Sequence, residues 1–368
     1  MRRLVVAAAV IAACVGAVAA GVVVGGEASW FLLAGLQIGP FLLLAVFVQL
    51  GEKRCWARVL AYLWLAGLVV ALSVLALGLT WAALEKSAGG SGVAAVSGGL
   101  ARMTLGLLLS LALATPFLFG RVRRLAARVL PVDPASLTHK VALVFVVFFT
   151  ALSLSHLAAL DWRPSLLTAV EGLSAEQIAD RRSAVGQILD MFYGLAWTLP
   201  MAAVAAGYPV RRSLRGAILR LGLTLPSRRQ VLVGLAMAAG LVAVFEGVDQ
   251  SITWAWEQMG WPTTDVETFK KLVGVGFSPV GAVAIGITAG VGEEVTVRGL
   301  LQPRLGKVLP NLAFVAAHAF QYGPDALIGV FLLGMVFAFV RSYSSTSVAA
   351  LVHGVYDFIA VMLEVLGF

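Results

Sequence analysis

Residues 278–299 read SPVGAVAIGITAGVGEEVTVRG. No side chain from Ser278 to Gly292 is charged, and then Glu293, Glu294 and Arg298 follow in quick succession. About 20 apolar residues, at ~1.5 Å rise each, cross a hydrocarbon core of ~30 Å. The stretch therefore predicts a membrane-spanning helix over 278–297 with ionisable groups inside it. Each such group costs roughly 2.5–3.5 kcal/mol at the centre of an inserted helix, so it calls for a partner or a task.

The rest of the chain agrees with that reading. Of its 368 residues, 60% are hydrophobic and 12% charged, where soluble domains carry roughly 25% charged residues. The solvent is a bilayer. A net charge of +8 would suggest nucleic acid as partner for a soluble protein, but here the cations sit in short connections between apolar runs and act as topology signals. No nucleic acid is expected. Cys14 and Cys55 are the two cysteines, too few for a disulfide framework or a cysteine metal site.

Apolar segments fall at about 4–25, 30–50, 56–84, 100–120, 139–160, 187–209, 230–255, 278–297, 308–322, 325–341 and 345–367, which predicts eleven spans in an all-α, polytopic helical protein. The first segment follows Met1-Arg2-Arg3. Ala17-Val18-Ala19 within it resembles a signal-peptide cleavage site and Ile11-Ala12-Ala13-Cys14 a lipoprotein box, but its length favours an uncleaved helix. With the N-terminus in the cytoplasm, alternating connections on that side collect 20 of the 27 Lys and Arg residues, including Lys53, Arg54, Arg211, Arg212, Arg220, Arg304 and Arg341. The opposite side receives Asp161, Glu257, Asp265 and Asp325 among others. The alternation follows the positive-inside rule. Gly89-Gly90-Ser91-Gly92 reads as a flexible outer loop, and the connections 161–186 and 257–277 are long enough for interfacial helices. A boundary near Pro226 separates an accessory region, 1–226, from a catalytic region, 227–368.

That second region gathers three polar clusters on successive apolar segments. They are Glu293-Glu294-Val295-Thr296-Val297-Arg298, then Phe314-Val315-Ala316-Ala317-His318, then His353-Gly354-Val355-Tyr356-Asp357. Glu294 and Arg298, four apart, face each other on a helix, whereas Glu293 is turned about 100° away and free for other work. His353 and Asp357 likewise share a face. Counted from the arginine-rich ends, Glu293, His318 and His353 lie on the order of 10–15 Å deep, so they can converge in one cavity, expected to open on the cytoplasmic side. A carboxylate with two imidazoles suits activation of a water for attack on a carbonyl. The same Glu293, His318 and His353 also suit a three-ligand zinc site with an open position.

The order Glu-Glu-x-x-x-Arg, Phe-x-x-x-His, His-x-x-x-Asp resembles the CPBP family of intramembrane proteases (CAAX protease and bacteriocin-processing, also called Abi), which includes the type II CAAX prenyl endopeptidases. The resemblance covers roughly residues 230–368. It implies that Glu293 activates the water, that His318 and His353 complete the centre, and that Glu294 and Arg298 support it. Asp357 stands where those proteases commonly have Asn, and Val297 where an aromatic usually precedes the Arg. An Asn can donate to a developing oxyanion and an ionised Asp cannot. Both metal-dependent and metal-free mechanisms have been argued for the family; the metal-free form is the expectation adopted here, with zinc as the alternative. The expected substrate, a lipidated or membrane-embedded peptide, is implied by the resemblance alone.

Rival readings rest on other residues. Glu246 and Asp249 could belong to the ion path of a secondary transporter, although no matching halves mark inverted repeats. A scaffold or immunity protein without turnover is a third class. His139 and His156 read as structural, Trp254, Trp256 and Trp261 as an interfacial belt, and Tyr322-Gly323-Pro324-Asp325 as a tight turn.

Overall fold

The structure, a computed structural model, describes residues 26–88, 92–174, 177–178 and 183–367, with side chains from Ser29 onward. The predicted first helix, its cleavage and lipoprotein motifs, and most of the 89–92 loop lie outside the described residues. Within them the chain is all helical. In order it forms α1 (Gly26–Gly51), α2 (Cys55–Ala88), α3 (Val93–Ala114), α4 (Gly120–Ala126), α5 (Leu137–Ala159), α6 (Ser165–Val170), α7 (Ala184–Ala205) and α8 (Leu214–Arg220). Then follow α9 (Arg228–Gln258), α10 (Val266–Val273), α11 (Pro279–Glu293), a π-helix (Glu294–Leu301), α12 (Gln302–Leu305), α13 (Val308–His318), α14 (Pro324–Tyr343) and α15 (Thr346–Leu366).

Nine segments among the described residues are long and apolar enough to span a membrane, and the eleven-residue α13 is apolar but short. These ten correspond to ten of the eleven predicted spans; the correction concerns α13, which at ~1.5 Å per residue reaches only about half of a ~30 Å core. The protein is a polytopic integral membrane protein. The long connections hold α6 and α10, as expected.

Local chemistry starts these helices where they start. Ser136, Ser183, Ser213, Ser278 and Ser345 each accept a backbone N–H in the first turn of the following helix, and Ser227 forms a reciprocal capping box with Gln230. Such caps satisfy N–H groups that the helix leaves unpaired. Pro279 and Pro324 stand in first turns, where their missing N–H is no loss.

Two groups of helices result. Helices α1, α2, α3, α5 and α7 pack together, while α9, α11, α13, α14 and α15 form the second group, joined to the first through α5 against α13 and α7 against α11. The tightest approach is α11 on α15. A Cβ at Gly290 would lie 2.7 Å from the Cα of Gly354, so the two backbones touch as they do at small-residue crossings in membranes. This contact sets the distance between the Glu293 and His353 clusters.

Candidate active site

At Glu294 the backbone passes from α to π, with hydrogen bonds reaching one residue further than in an α-helix. Glu294 Oε1 and Arg298 Nη1 are 3.0 Å apart, and both side chains are fully buried. Arg298 Nη2 donates to Gly334 O at 2.7 Å and to Asn311 Oδ1 at 3.2 Å. Its guanidinium also lies over the rings of Phe314 and Phe337, 4.6 and 5.7 Å from their centroids. The pair expected from spacing is present, in a cradle the spacing did not show. Asn311 was missed. Its signal was a lone amide in an apolar helix, on the same face as Phe314 and His318 at positions i, i+3 and i+7.

The other nitrogen of the network belongs to α15. His353 Nδ1 lies 3.0 Å from Glu294 Oε1, and because an ionised carboxylate only accepts, Nδ1 carries the hydrogen. The imidazole stacks on Phe337, centroids 4.4 Å apart, so its plane is fixed. Its Nε2 then points towards Asp357 Oδ2 at 3.3 Å and Glu293 Oε2 at 3.8 Å. Adjacent glutamates have thus been given opposite surroundings: the Glu293 side chain is 35% exposed and that of Glu294 is 0% exposed.

His318 closes α13. Its Nδ1 donates to Phe314 O at 2.8 Å, which leaves Nε2 with a lone pair in the neutral ring. The ring lies parallel to Tyr322, centroids 5.8 Å apart.

Glu293, His318, His353 and Asp357 share the wall of one cavity of about 670 Å³, with Tyr322 and Asp249 also facing it. Convergence of the three motifs is therefore observed; Glu294 and Arg298 stand behind the wall. The cavity lies away from the arginine-rich ends from which depth was counted. The remaining lining comes from the C-terminal half of α9, from α10, from the N-terminal half of α14 and from the C-terminal half of α15. Those ends meet the acidic connections, opposite the ends that bear Arg212, Arg304 and Arg341. Depth counting placed the groups well but was blind to which ends splay. At the arginine-rich end Thr346 Oγ1 donates to Leu221 O at 2.6 Å and Thr346 N to Gly222 O at 3.1 Å, closing the bundle.

Among the described residues no group of three or more His, Cys, Asp or Glu is disposed to hold a metal ion. The Nδ1 atoms of both histidines are committed to protein oxygens, which leaves Nε2 as the free nitrogen of each ring, the arrangement that also orients zinc-ligating imidazoles. Glu293, His318 and His353 are the residues that would hold a zinc ion, and no step below passes through a metal.

Of the other polar residues, Asp249 opens onto the same cavity as Glu293 and His318, and Glu246 accepts from Gln250 at 2.8 Å. His139 sits at the start of α5, where Nδ1 accepts from Asp133 N at 2.7 Å. His156 is fully buried, 2.8 Å from Thr80 Oγ1 through Nδ1 and 5.0 Å from the Phe320 ring centroid. It therefore touches the turn that follows His318, a contact that a solitary histidine in a sequence cannot announce. Trp254 and Trp261 are exposed and Trp256 packs edge-on against Trp261.

Neither a curated protein nor a solved structure matches the chain. Residues 276–359 match the family described as Type II CAAX prenyl endopeptidase Rce1-like, a segment that contains Glu293, Glu294, Arg298, His318, His353 and Asp357. Helix α11, the π-helix, α13 and most of α15, which bear these side chains, are thus similar to CAAX-type proteases.

Proposed function

We propose that the chain is an intramembrane endopeptidase in which Glu293 and His318 activate a water and His353 receives the developing oxyanion. The observation that carries this reading is the contrast within Glu293-Glu294: one carboxylate opens on the cavity, while its neighbour is sealed behind it and locked to Arg298 and His353.

In the reaction Glu293 takes a proton from a water that donates its second hydrogen to His318 Nε2, and the hydroxide adds to the substrate carbonyl. The C–N bond then breaks as protonated Glu293 returns the proton to the departing amine, so no net proton is consumed at the side chain. His353 is held by Glu294 through Nδ1, and with a second proton on Nε2 it presents a donor to the oxyanion. Asp357 takes a different part from the Asn of the resembled proteases. Lying 3.3 Å from His353 Nε2, it favours the doubly protonated ring and yields the hydrogen to the oxyanion as charge develops. Glu294 and Arg298 are positioning residues. Helices α1, α2, α3, α5 and α7 of the accessory region, 1–226, flank the catalytic region, 227–368, through α5 and α7, and the substrate is a membrane-embedded or lipidated segment of a protein chain.

The test is cleavage of a membrane-peptide library by purified wild type, Glu293→Gln and His353→Ala, each with and without chelator. Glu293→Gln is expected to lose about 10²–10⁴-fold in rate, the usual contribution of a positioned general base. Undiminished cleavage by that variant would sink the mechanism, and chelator-sensitive cleavage restored by zinc would replace it with a metal-dependent one. Substrate-dependent ion flux in liposomes, abolished by Asp249→Asn, would favour transport, and folded wild type without cleavage of any library member the scaffold reading.

A further inference from the structure

The end of the bundle remote from the cavity gathers guanidinium groups beyond what orientation in a membrane requires. Arg304 of α12 is 5% exposed, its Nη2 donating to Ala205 O at 3.1 Å and its Nη1 to Leu300 O. Arg212 Nη1 donates to Ala206 O at 2.5 Å. Both are drawn to the last carbonyls of α7, the negative end of that helix dipole. Arg211, Arg212 and Arg220 all lie close enough to Arg304 to repel it, and Arg212 and Arg341 close enough to repel Arg220.

Compensating charge is scarce there. Among the described residues the ion pairs of these five arginines reduce to one, Arg211 with Glu52 at 3.6 Å, and Glu52 is already engaged by Ser136 and Thr138. Arg341 lies over Gly222, where a Cβ would sit 2.7 Å from its Nη2. Its Nε is buried without a hydrogen-bond partner. Gly222, at φ +74°, is a position where the missing side chain serves both the backbone and the guanidinium.

We propose that Arg212, Arg220, Arg304 and Arg341 form a phosphate-binding site at the membrane interface, occupied by the phosphate of an anionic lipid headgroup or by a soluble phosphate. A carboxylate satisfies one guanidinium fork, whereas a phosphate offers oxygens to several at once. Basic pockets between the ends of spanning helices lie at the level of lipid phosphates. The site has a structural consequence for the cavity. It joins α8, α12 and α14 at the place where Thr346 ties the start of α15 to Leu221 and Gly222, so an anion there holds together the closed end from which the Glu293 and His353 helices rise.

The rival explanation is general attraction between basic connections and any anionic surface. Arg228 and Arg229, exposed at the same end and outside the cluster, separate the two. Full-length wild type, Arg220→Gln/Arg341→Gln and Arg228→Gln/Arg229→Gln would be placed in phosphatidylcholine nanodiscs alone, with phosphatidylglycerol, or with millimolar inorganic phosphate. Thermal unfolding would be followed, with native mass spectrometry of retained lipid on the wild type. Phosphatidylglycerol is expected to raise the Tm of wild type and of Arg228→Gln/Arg229→Gln. Arg220→Gln/Arg341→Gln should lose affinity for it by on the order of 30-fold, two cations at about 1 kcal/mol each. A shift with inorganic phosphate alone, lost in the same variant, would assign the site to a soluble phosphate. Equal loss in both double variants, or no stabilisation in either arm, would overturn the proposal. So would wild type that retains anionic lipid no better than phosphatidylcholine, a reading that stands even if Arg220→Gln/Arg341→Gln does not fold.

Discussion

Glu293 and Glu294 differ by one position in the chain and by everything in their surroundings. Glu294 and Arg298 are sealed together, and removing one partner leaves the other charge stranded in the membrane. Arg298→Met is therefore expected to cost about 3–5 kcal/mol, as breaking a buried pair does, read as a fall in Tm in detergent. Glu293→Gln should leave Tm nearly unchanged while cleavage falls, because Glu293 faces the cavity and has a partner only at 3.8 Å. Equal loss of stability in both variants would remove the distinction between working and positioning residues. At this scale the sequence was informative because ionisable residues in apolar segments are rare enough to be conspicuous. Asn311 escaped for the converse reason: it stands alone on its helix, and its meaning lies in partners on other helices.

Between elements, the governing contact is α11 on α15. Gly290→Ala puts a methyl 2.7 Å from the Gly354 Cα, which forces the helices apart and moves Glu293 from His353. A loss of about 1–3 kcal/mol is expected from the overpacking, together with a fall in the cleavage rate; retention of both full rate and full Tm would show that the crossing tolerates separation. A second joint lies between α1 and α5, where Glu52 accepts from the Ser136 hydroxyl and from the Thr138 backbone and hydroxyl at 2.7–2.9 Å. Burial works to raise the Glu52 pKa, but hydrogen bonds from Thr138, Ser136 and the Leu137 backbone outweigh it, and the net shift is downward from 4.5. A depressed carboxylate contributes stability that is fully present above the ordinary pKa and is lost as pH falls through the lowered value in the folded state. Unfolding scans of wild type should therefore weaken below pH 4.5, and Glu52→Gln should flatten that part of the profile. Helix positions were readable from apolar length, whereas the Ser caps that fix their starts emerged with the structure and the π-helix after Glu293 was not legible, since no composition marks a change in hydrogen-bond register.

For the molecule as a whole, the cavity and the arginine-rich connections lie at opposite ends. Single-cysteine proteins in a Cys14→Ala background should show this directly. Native Cys55, exposed beside Lys53 and Arg54, and Lys271→Cys on α10 in a Cys55→Ala chain are expected to react with a membrane-impermeant thiol reagent from opposite faces of sealed vesicles. Labelling of both from one face would contradict the arrangement. The apolar helices were legible because hydrocarbon thickness acts on the chain locally. The end at which the cavity lies was not, because it depends on how the helices pack, including the contacts of Thr346 with Leu221 and Gly222.

The shortness of α13 has a wider consequence. Its eleven residues are too few to cross a ~30 Å hydrocarbon core, and the non-helical turn after His318 is held by protein: Leu166 N donates to Phe320 O at 2.9 Å and Gly323 N to Thr264 Oγ1 at 2.9 Å. Irregular backbone survives at such depth only beside protein or water. The truncated helix thus brings irregular backbone, covered by protein on both sides, to the His318 wall of the cavity.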